Sequence, residues 1–244
     1  MLLRTAKLKD FFNEESICIF TDASFQNLSD DVSIACGITA PSYCVYWNNQ
    51  CIEQGYSLLG NSNSQQGELY ALSMGINAIP KYSNFKNIRI FSDNKNAIFS
   101  TREWIRNWVR ETNAGRNSLG ENGRICNQDY IMNNVYSVIS SGRYIEFYHI
   151  MGHVDIRRPM DIERAKSMFL RSNSFIDEVD DDLIYMVAMG NTVVDNYSTT
   201  MLKSCMFNNQ IGVSYPAISF GYKKFDMNEY IGLVNKNGER RKPD

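Results

Sequence analysis

Residues 17–24 read ICIFTDAS, a short apolar run that ends on an acid. The apolar residues predict a buried strand, and Asp22 then lies at the carboxyl end of that strand. Ligand sites in open α/β sheets gather where strands end. This stretch therefore predicts both a sheet and a functional acid at its edge.

Two further strands are predicted directly after this one. Residues 33–47 and 51–59 are apolar runs separated by Asn48-Asn49-Gln50, a break that predicts a hairpin. The alternation of apolar residues over 34–40 is typical of a half-buried strand. Pro41 has no backbone N–H to donate, so we expect the strand to bend or bulge there.

The rest of the chain alternates between helical and strand-like patterns. Leu69, Leu72, Ile76 and Ile79 fall on one face of a helix that Pro80 ends. The elements predicted after it are a strand at 88–92, a helix at 94–112 broken near Ser100, a helix at 127–141 closed by Gly142, a strand at 144–151 and a helix at 191–205. This order predicts an α/β fold, with a five-stranded mixed sheet of three antiparallel strands and then parallel ones, flanked by helices.

Four acids stand where these elements begin or end. Asp22 and Asp93 each follow a strand, whereas Glu68 and Asp195 lie in the opening turns of helices. For each acid alone, helix capping or a favourable helix dipole is the simpler explanation. Converging carboxylates, however, repel one another and raise each other's pKa. Mg²⁺ prefers oxygen ligands and removes that cost, so the set predicts a metal site.

The segments around these acids resemble the motifs of the type 1 ribonuclease H family, which includes the domains joined to reverse transcriptases. The similar segments are TDAS at 21–24, SQQGELYAL at 64–72, IFSDN at 90–94 and GNTVVDNYS at 190–198. Each motif alone is short, but their order over roughly residues 15–205 is specific. The resemblance implies a ribonuclease H-like fold. It also implies an endonuclease that cuts the RNA strand of RNA/DNA hybrids and leaves 3′-hydroxyl and 5′-phosphate ends.

The resemblance also implies roles for individual residues. Asp22 would bridge two Mg²⁺ ions, with Glu68 and Asp93 completing one site and Asp195 the other, and Mn²⁺ is the expected substitute ion. MGHVD at 151–155 is similar to the family's histidine loop, so His153 would assist proton transfer or product departure. The residues implied in substrate binding around the acids are Ser24, Gln65, Asn94 and Asn191.

WIRNW at 104–108 is similar to the basic helix with which some cellular members of the family hold their substrate. Arg102, Arg106 and Arg110 recur every four residues, which places their guanidinium groups on one face of a helix. Together with Trp104 they would contact phosphates of the nucleic acid. A solvated basic face with aromatic core anchors explains the pattern equally well.

An insertion departs from the family's pattern. In the family about ten residues separate the loop histidine from the last acid, but 41 residues separate His153 from Asp195. The insertion, about 156–189, contains a predicted helix at 161–170 and the acidic run DEVDDD at 177–182. It could cap the site, mimic the charge of the substrate, or form a solvated elaboration of the surface.

The insertion also affects the alignment of the fourth acid. We prefer Asp195 because it follows Gly190 and Asn191 at the start of an apolar-periodic helix. Its rivals are Asp155, Asp161 and Asp177. We expect a catalytic domain at 1–205 and a C-terminal extension of unknown role at 206–244.

The composition limits the alternatives. The chain has 244 residues, a net charge of −2 and no apolar run close to the roughly 20 residues of a membrane helix. Residues 81–124 carry nine basic and four acidic residues, a local positive charge that suits nucleic acid. Six cysteines without a Cys-x-x-Cys pair predict buried thiols and a cytoplasmic protein. We expect a monomer that binds nucleic acid and no membrane.

Two other functions stay open. The chain could be a nucleic-acid-binding or docking module that retains the fold without catalysis. It could also be an exonuclease of a related fold, although such exonucleases carry an Asp-x-Glu pair where this chain has Asp22-Ala23-Ser24.

Overall fold

The computed structural model describes residues 5–28, 37–105, 127–207 and 227–235. Its strands are β1 (Thr5–Ala6), β2 (Ser16–Asn27), β3 (Gly37–Trp47), β4 (Gln50–Tyr56), β5 (Leu59–Ser62), β6 (Asn87–Ser92), β7 (Ile145–His149) and β8 (Glu178–Val179). Its α-helices are α1 (Leu8–Phe11), α2 (Ser64–Ala78), α3 (Lys95–Phe99), α4 (Gln128–Ser141), α5 (Pro159–Ser172), α6 (Asp181–Phe207) and α7 (Met227–Leu233). A 3₁₀ turn (Ile79–Tyr82) follows α2, and a π-helical turn (Ser100–Trp104) follows α3.

The central sheet has the strand order β4-β3-β2-β6-β7, and β5 pairs with β3. β3 is antiparallel to β2 and β4, whereas β2, β6 and β7 are parallel to one another. This topology confirms the predicted α/β fold. Phe20 is paired with Phe91, so Asp22 and Asp93, each two residues further on, stand side by side at the carboxyl ends of the paired segments.

Different helices cover the two faces of the sheet. On β2, Ile17 and Ile19 belong to the buried cluster that includes α2 and α4, whereas Cys18 and Phe20 belong to the cluster that includes α6. All four side chains are at most 1% exposed. A strand that is buried on both faces reads as a continuous apolar run. This is why ICIF marks the central strand.

Pro41 does not interrupt β3, contrary to the prediction. It pairs with Ala23, and its carbonyl accepts a hydrogen bond of 3.0 Å from Ser57 N. In an antiparallel strand, the backbone nitrogen and the carbonyl of one residue point toward the same neighbouring strand. The Pro41 nitrogen therefore points toward the end of β4, where the backbone pairing of β3 with β4 stops, and no hydrogen bond within the sheet is lost. The register shift between β3 and β4 lies at Val45 and Tyr46 instead.

The predicted break near Ser100 is present, because α3 ends at Phe99 and a π-helical turn continues to Trp104. The rest of that predicted helix lies outside the described residues. Gly142 closes α4 as predicted, with a φ of 60° that favours glycine.

The last long helix begins earlier than predicted. The expected start at Asn191 is wrong, since α6 begins at Asp181. Gly190, which suggested a helix boundary, lies inside α6 because a Cβ there would stand 2.3 Å from the ring of Phe20. It allows helix and sheet to pack closely. Asp195 therefore lies in the middle of α6 and not in its opening turns.

The insertion takes part in the hydrophobic core. α5 packs on β7 and α6, and Phe169 and Phe175 are buried in the cluster that α6 shares with the sheet. β8 pairs with β1, and Asp180 accepts hydrogen bonds from Leu8 N at 3.1 Å and from Leu183 N at 2.8 Å. Asp180 thus caps the start of α6 and fixes the N-terminal segment at the same time.

Part of the C-terminal extension closes one edge of the sheet. The side chain of Tyr230 on α7 is fully buried, and its hydroxyl donates to the carbonyl of Thr101. Val234 forms a parallel bridge with Ile145. The Asn235 side chain then bonds both the N–H and the carbonyl of Phe147, at 2.7 and 3.0 Å. An amide side chain thus takes the place of a further strand beside β7.

Four cysteines fall in the described part of the chain, and all are free thiols. Cys18, Cys44 and Cys205 are buried, as predicted, whereas Cys51 is exposed. Within the described ranges, no helix has both the length and the apolar character that crossing a membrane requires.

Candidate functional site

Three of the four predicted acids converge at one edge of the sheet. Asp22 lies on β2, Asp93 directly follows β6, and Glu68 reaches them from α2. One oxygen of each carboxylate lies within 4.8 Å of the others. Asp22 and Glu68 are both only 7% exposed, and Asp93 is half-buried. We refer to these three residues as the acid cluster.

The start of α2 sets the position of Glu68. Asn63 Oδ1 accepts from Gln66 N, and Gln66 Oε1 accepts from Asn63 N, which together form a capping box. The helix approaches the sheet closely at Gly67, where a Cβ would stand 2.8 Å from the Thr39 side chain. Because Glu68 is the next residue, this close approach brings its carboxylate to the sheet edge.

Asp93 is available to the acid cluster because its neighbour caps the following helix. Asn94 Oδ1 accepts from Ala97 N at 2.9 Å, and Asn94 N donates to Ser92 Oγ at 3.1 Å. The capping that could have explained Asp93 is therefore carried out by Asn94. The Asn94 side chain, which the sequence predicts to contact a substrate, is oriented by this cap.

The three acids disfavour one another's negative charge. The pKa of Asp22 is raised to about 6, mainly by burial and also by the negative charge of the nearby Asp93 carboxylate. Burial also raises the pKa of Glu68 well above its usual range, with further increases from Asp22 and Asp93. The pKa of Asp93 is raised by burial as well. Adjacent carboxylates in a low dielectric show such shifts, and a bound cation reverses them.

A divalent cation fits this cluster. Glu68 Oε2 is buried and has no hydrogen-bond partner within the described residues. An unpaired buried acceptor is costly, and a cation would satisfy it. Carboxylate oxygens from three separate elements are donors that suit Mg²⁺ or Mn²⁺. The residues able to hold such an ion are Asp22, Glu68 and Asp93.

Asp195 lies beside the acid cluster but is not part of its 4.8 Å group. Its negative charge contributes to the raised pKa of all three acids. Ser198 connects Asp195 with the acid cluster, since its Oγ lies 3.0 Å from Asp22 Oδ2 and 2.9 Å from the Asp195 carbonyl oxygen. Sequence reasoning missed Ser198, although its spacing of three residues from Asp195 was an available signal.

Two rivals of Asp195 make other contacts. Asp155 forms a bidentate pair with Arg157 at 2.9 and 3.1 Å, which lowers the pKa of Asp155 to about 2. Asp161 lies in the first turn of α5 and pairs with Arg164 at 3.6 Å. Asp195 is thus the acid that the fold brings beside the cluster.

The loop after β7 contacts the acids on one side and solvent on the other. A Cβ at Gly152 would stand 2.2 Å from Asp93 Oδ2, so the loop backbone lies directly against that carboxylate. His153 Nδ1 lies 3.5 Å from Asp195 Oδ2, and its side chain is 81% exposed. The predicted loop histidine is therefore close to the fourth acid.

Replacing Gly152 with alanine should disturb the acid cluster directly. The added methyl group overlaps Asp93 Oδ2, so the loop or the carboxylate must move by about 1 Å. We expect the affinity for Mn²⁺, measured by calorimetry, to fall about tenfold. Gly232→Ala is the control, because a Cβ there meets nothing within 4 Å. Equal affinities in the two variants would contradict the close contact.

The residues predicted to bind substrate have different surroundings. Asn191 is buried, and its Nδ2 donates to Asp93 Oδ2 at 3.2 Å, so it orients a carboxylate. The Ser24 hydroxyl is held against α6 by contacts of 2.8 and 2.9 Å. Gln65 lies in an exposed contact, where its Oε1 accepts from Asn96 at 3.4 Å. Gln65, like Ser24, is half-buried, and its contact with Asn96 lies at the surface.

Arg102 is fully buried and cannot serve as the predicted phosphate contact. Its guanidinium donates to Phe147 O, Ser172 O and Asn173 Oδ1 at 2.7 to 3.1 Å. Two phenylalanine rings pack 4.8 and 5.5 Å from the guanidinium carbon. That prediction is wrong because the donors are used inside the protein. The other predicted members of this basic helix are Trp104, which is half-buried, and Arg106 and Arg110, which lie outside the described residues.

His149 is a buried residue near the acids to which sequence reasoning gave no role. Its pKa is lowered to about 4, mainly by burial and also by the positive charges of Arg102 and Lys95. Its ring is therefore neutral at physiological pH. Its Nε2 lies 3.1 Å from the carbonyl oxygen of Asp93.

Comparison with known proteins gives the following relationships. The RNase H family model matches residues 14–166, a range that includes the acid cluster and His153 and ends before Asp195. No curated protein matches the sequence.

Among solved structures, LC9-RNase H1, described as a type 1 RNase H with the type 2 active-site motif, is 11% identical. The match covers 70% of this chain and 73% of that one, with a TM-score of 0.45. RNase H1 from the halophilic archaeon Halobacterium salinarum NRC-1 is 11% identical over 64% of this chain and 96% of its own, with a TM-score of 0.37. The PFV RNase H domain is 13% identical over 68% of this chain and 98% of its own, with a TM-score of 0.45.

Proposed function

This chain belongs to the RNase H family, and on that premise we propose that it is a metal-dependent endonuclease that hydrolyses the RNA strand of RNA/DNA hybrids. The acid cluster carries the proposal. Three carboxylates from separate elements, with oxygens within 4.8 Å of one another, are costly in this buried position unless cations neutralise them. The unpartnered Glu68 oxygen supports the same interpretation.

The proposed chemistry is hydrolysis with two divalent cations, Mg²⁺ or Mn²⁺. Such a pair supplies an activated water and stabilises both the pentacovalent phosphorus and the leaving oxygen. Asp22 would contact both ions, Glu68 and Asp93 would complete one site, and Asp195 would complete the other. Ser198 would keep the Asp22 carboxylate oriented through its contact of 3.0 Å.

His153 is proposed to move a proton between the site and solvent. Its exposed ring lies beside Asp195, where it can reach a substrate oxygen without first being uncovered. It would give a proton to the leaving 3′ oxygen or assist departure of the 5′-phosphate product. The resulting RNA ends are a 3′-hydroxyl and a 5′-phosphate.

The proposed substrate surface lies on the solvent side of the acid cluster. Gln65, at the start of α2, would contact the substrate at the surface. Ser24 contacts Ser198, which binds Asp22, and Asn94 directly follows Asp93. We propose that residues 1–205 form one catalytic unit that works as a monomer. The extension at 206–244 would complete it through the sheet edge at Asn235.

The test is cleavage of a labelled RNA/DNA hybrid by the purified protein with Mg²⁺. The wild-type protein should cut the RNA strand, and Asp93→Asn should abolish cutting because one ligand of the cation site is lost. Asp155→Asn is the matched control, since Asp155 pairs with Arg157 outside the cluster and its loss should leave cleavage intact. Cutting by Asp93→Asn at the wild-type rate would contradict the assignment.

Titration with Mn²⁺ separates a nuclease from a docking module that keeps only the fold. A nuclease should bind Mn²⁺ with a heat signal that Asp93→Asn reduces. A docking module should show no such signal in either protein. The substrate class is tested in parallel, because the proposed enzyme should cut the hybrid in preference to double-stranded RNA.

A further inference from the structure

His149 connects the backbone of Asp93 to the segment that follows the histidine loop. It is the last residue of β7, pairs with Ser92, and is 4% exposed. Its Nε2 lies 3.1 Å from Asp93 O, and its Nδ1 lies 2.9 Å from Ser172 Oγ. A carbonyl oxygen can only accept, so Nε2 carries the hydrogen and Nδ1 accepts from the Ser172 hydroxyl. The surroundings therefore select one tautomer of the ring.

Asn173 holds the backbone of the same histidine from both sides. Its Oδ1 accepts from His149 N at 3.2 Å, and its Nδ2 donates to His149 O at 2.9 Å. Arg102 Nη1 donates to the same Asn173 oxygen at 3.1 Å and to Phe147 O at 2.7 Å. Asn173 and Arg102 are both completely buried. A buried network with its members paired in this way is rigid.

Both peptide groups that flank Asp93 are fixed from this region. Ser92 O accepts from Ile150 N at 3.1 Å, and Asp93 O accepts from the His149 ring. Asn94 N donates to Ser92 Oγ at 3.1 Å. Rotation about the φ and ψ angles of Asp93 would break at least one of these bonds. The direction in which the Asp93 side chain leaves the backbone is therefore set by His149, at the end of β7, and by Ile150, which follows it.

We propose that His149 is a positioning residue, which holds the Asp93 carboxylate in the cation site by binding the Asp93 carbonyl. Ser172 and Asn173, which belong to the insertion, hold His149 for this task. The inference rests on the proposed function, because it requires that Asp93 binds a cation. The insertion then supports the cation site from within the core, which is a role outside the three considered from the sequence.

The test compares two substitutions of His149. Glutamine keeps an N–H donor within reach of the Asp93 carbonyl, whereas phenylalanine keeps a ring without any donor. In His149→Phe we expect Mn²⁺ binding, measured by calorimetry, to weaken about tenfold. With a hybrid substrate, kcat should fall and KM should stay unchanged, because the substrate surface is not altered. His149→Gln should recover most of the lost Mn²⁺ affinity.

Asn235→Ala is the matched control for a general loss of stability. It removes two buried hydrogen bonds from Phe147, on the same strand but away from Asp93. Its melting temperature should fall while its Mn²⁺ affinity stays at the wild-type value. Equal losses of affinity in Asn235→Ala and His149→Phe, or no loss in His149→Phe, would overturn the positioning role.

A further variant covers the case in which His149→Phe does not fold. Ser172→Ala removes only the bond that holds the ring at Nδ1, so weaker Mn²⁺ binding at unchanged KM supports the role, and unchanged binding overturns it. Wild-type protein that binds Mn²⁺ and cuts hybrid keeps the nuclease assignment, whatever these variants show. Wild-type protein that does not bind Mn²⁺ would overturn both proposals.

Discussion

In Asp22→Asn, cleavage of a hybrid should fall on the order of 10³-fold or more, while the metal-free protein becomes more stable at pH 8. Asp22 is 7% exposed and lies within 4.8 Å of two other carboxylates. The asparagine side chain is neutral, and its oxygen can still accept from Ser198. The substitution therefore removes a buried charge and leaves the hydrogen bond in place.

The pH dependence follows from the raised pKa of Asp22, which burial moves from 3.8 to about 6. The folded state holds this proton more tightly than the unfolded chain. The stabilisation is fully present below the unfolded pKa of 3.8 and is lost as the pH rises through about 6. At about 1.4 kcal/mol per pH unit, the metal-free wild type loses about 2 to 3 kcal/mol by pH 8. The raised pKa values of Glu68 and Asp93 act in the same direction.

The measurement is urea unfolding at pH 5 and pH 8, with a chelator and with Mg²⁺. Without metal, the wild type should lose stability between the two pH values, and Asp22→Asn should lose less, because only Glu68 and Asp93 still contribute to the loss. Mg²⁺ should restore the stability of the wild type at pH 8 and leave the stability of the variant unchanged. The reason is that Mg²⁺ stabilises the folded state only where the cation site is intact and can bind it. Asp155→Asn is the control, since Arg157 lowers the pKa of Asp155 and no gain at pH 8 follows from its loss. An Asp22→Asn protein that is less stable than the metal-free wild type at pH 8 would contradict the electrostatic argument.

The acid cluster could be predicted from the sequence because its signals are local and its geometry follows from strand pairing. The run ICIF is apolar throughout because β2 is buried on both faces. Asp93 directly follows β6, whereas β2 continues past Asp22 to Asn27, so the expected strand end at Asp22 is only the end of its pairing with β6. The parallel pairing of β2 with β6 brings the two acids together. Glu68 follows the capping box of α2, whose residues are contiguous in the chain. Each of these steps needs only a short stretch of sequence.

The start of α6 could not be predicted in the same way. Glycine or asparagine is typical of a helix boundary, and Gly190-Asn191 predicts one. In the fold both residues serve tertiary contacts, since Gly190 makes room for the ring of Phe20 and Asn191 binds Asp93. Local sequence does not distinguish a glycine that ends a helix from one that allows a ring to approach it.

The same limit applies to Arg102. A spacing of four residues identifies one face of an α-helix, but the π-helical turn at Ser100–Trp104 changes the angle at which these side chains leave the axis. Arg102 consequently enters the core, between the end of α5 and β7. Besides the adjacent Glu103, which its Nε binds at 3.0 Å, its acceptors come from residues 45 to 71 positions away in the chain, which no spacing rule reveals.

Arg102→Ala should destabilise the protein by about 3 to 5 kcal/mol, the range for removing one partner of a buried charged network. Arg102 is one of the largest completely buried side chains, so its loss leaves a cavity between two phenylalanine rings. It also removes charge-assisted bonds to Phe147 O, Ser172 O and Asn173 Oδ1. In the variant, Phe147 O still accepts from the Asn235 side chain, and Asn173 Oδ1 still accepts from the His149 N–H. The expected loss of stability therefore stays within about 3 to 5 kcal/mol, because these two acceptors are not left unpaired.

Urea unfolding of three variants tests this expectation. Arg102→Lys keeps the charge but not the planar fork that reaches three acceptors, so it should recover less than half of the stability lost in Arg102→Ala. Arg164→Ala is the control, because Arg164 forms an exposed pair with Asp161 at 3.6 Å and should change stability by less than about 1 kcal/mol. If Arg102→Ala costs no more than Arg164→Ala and instead weakens binding to the hybrid, the guanidinium faces the nucleic acid in solution. The buried network that fixes His149 would then lose one of its anchors.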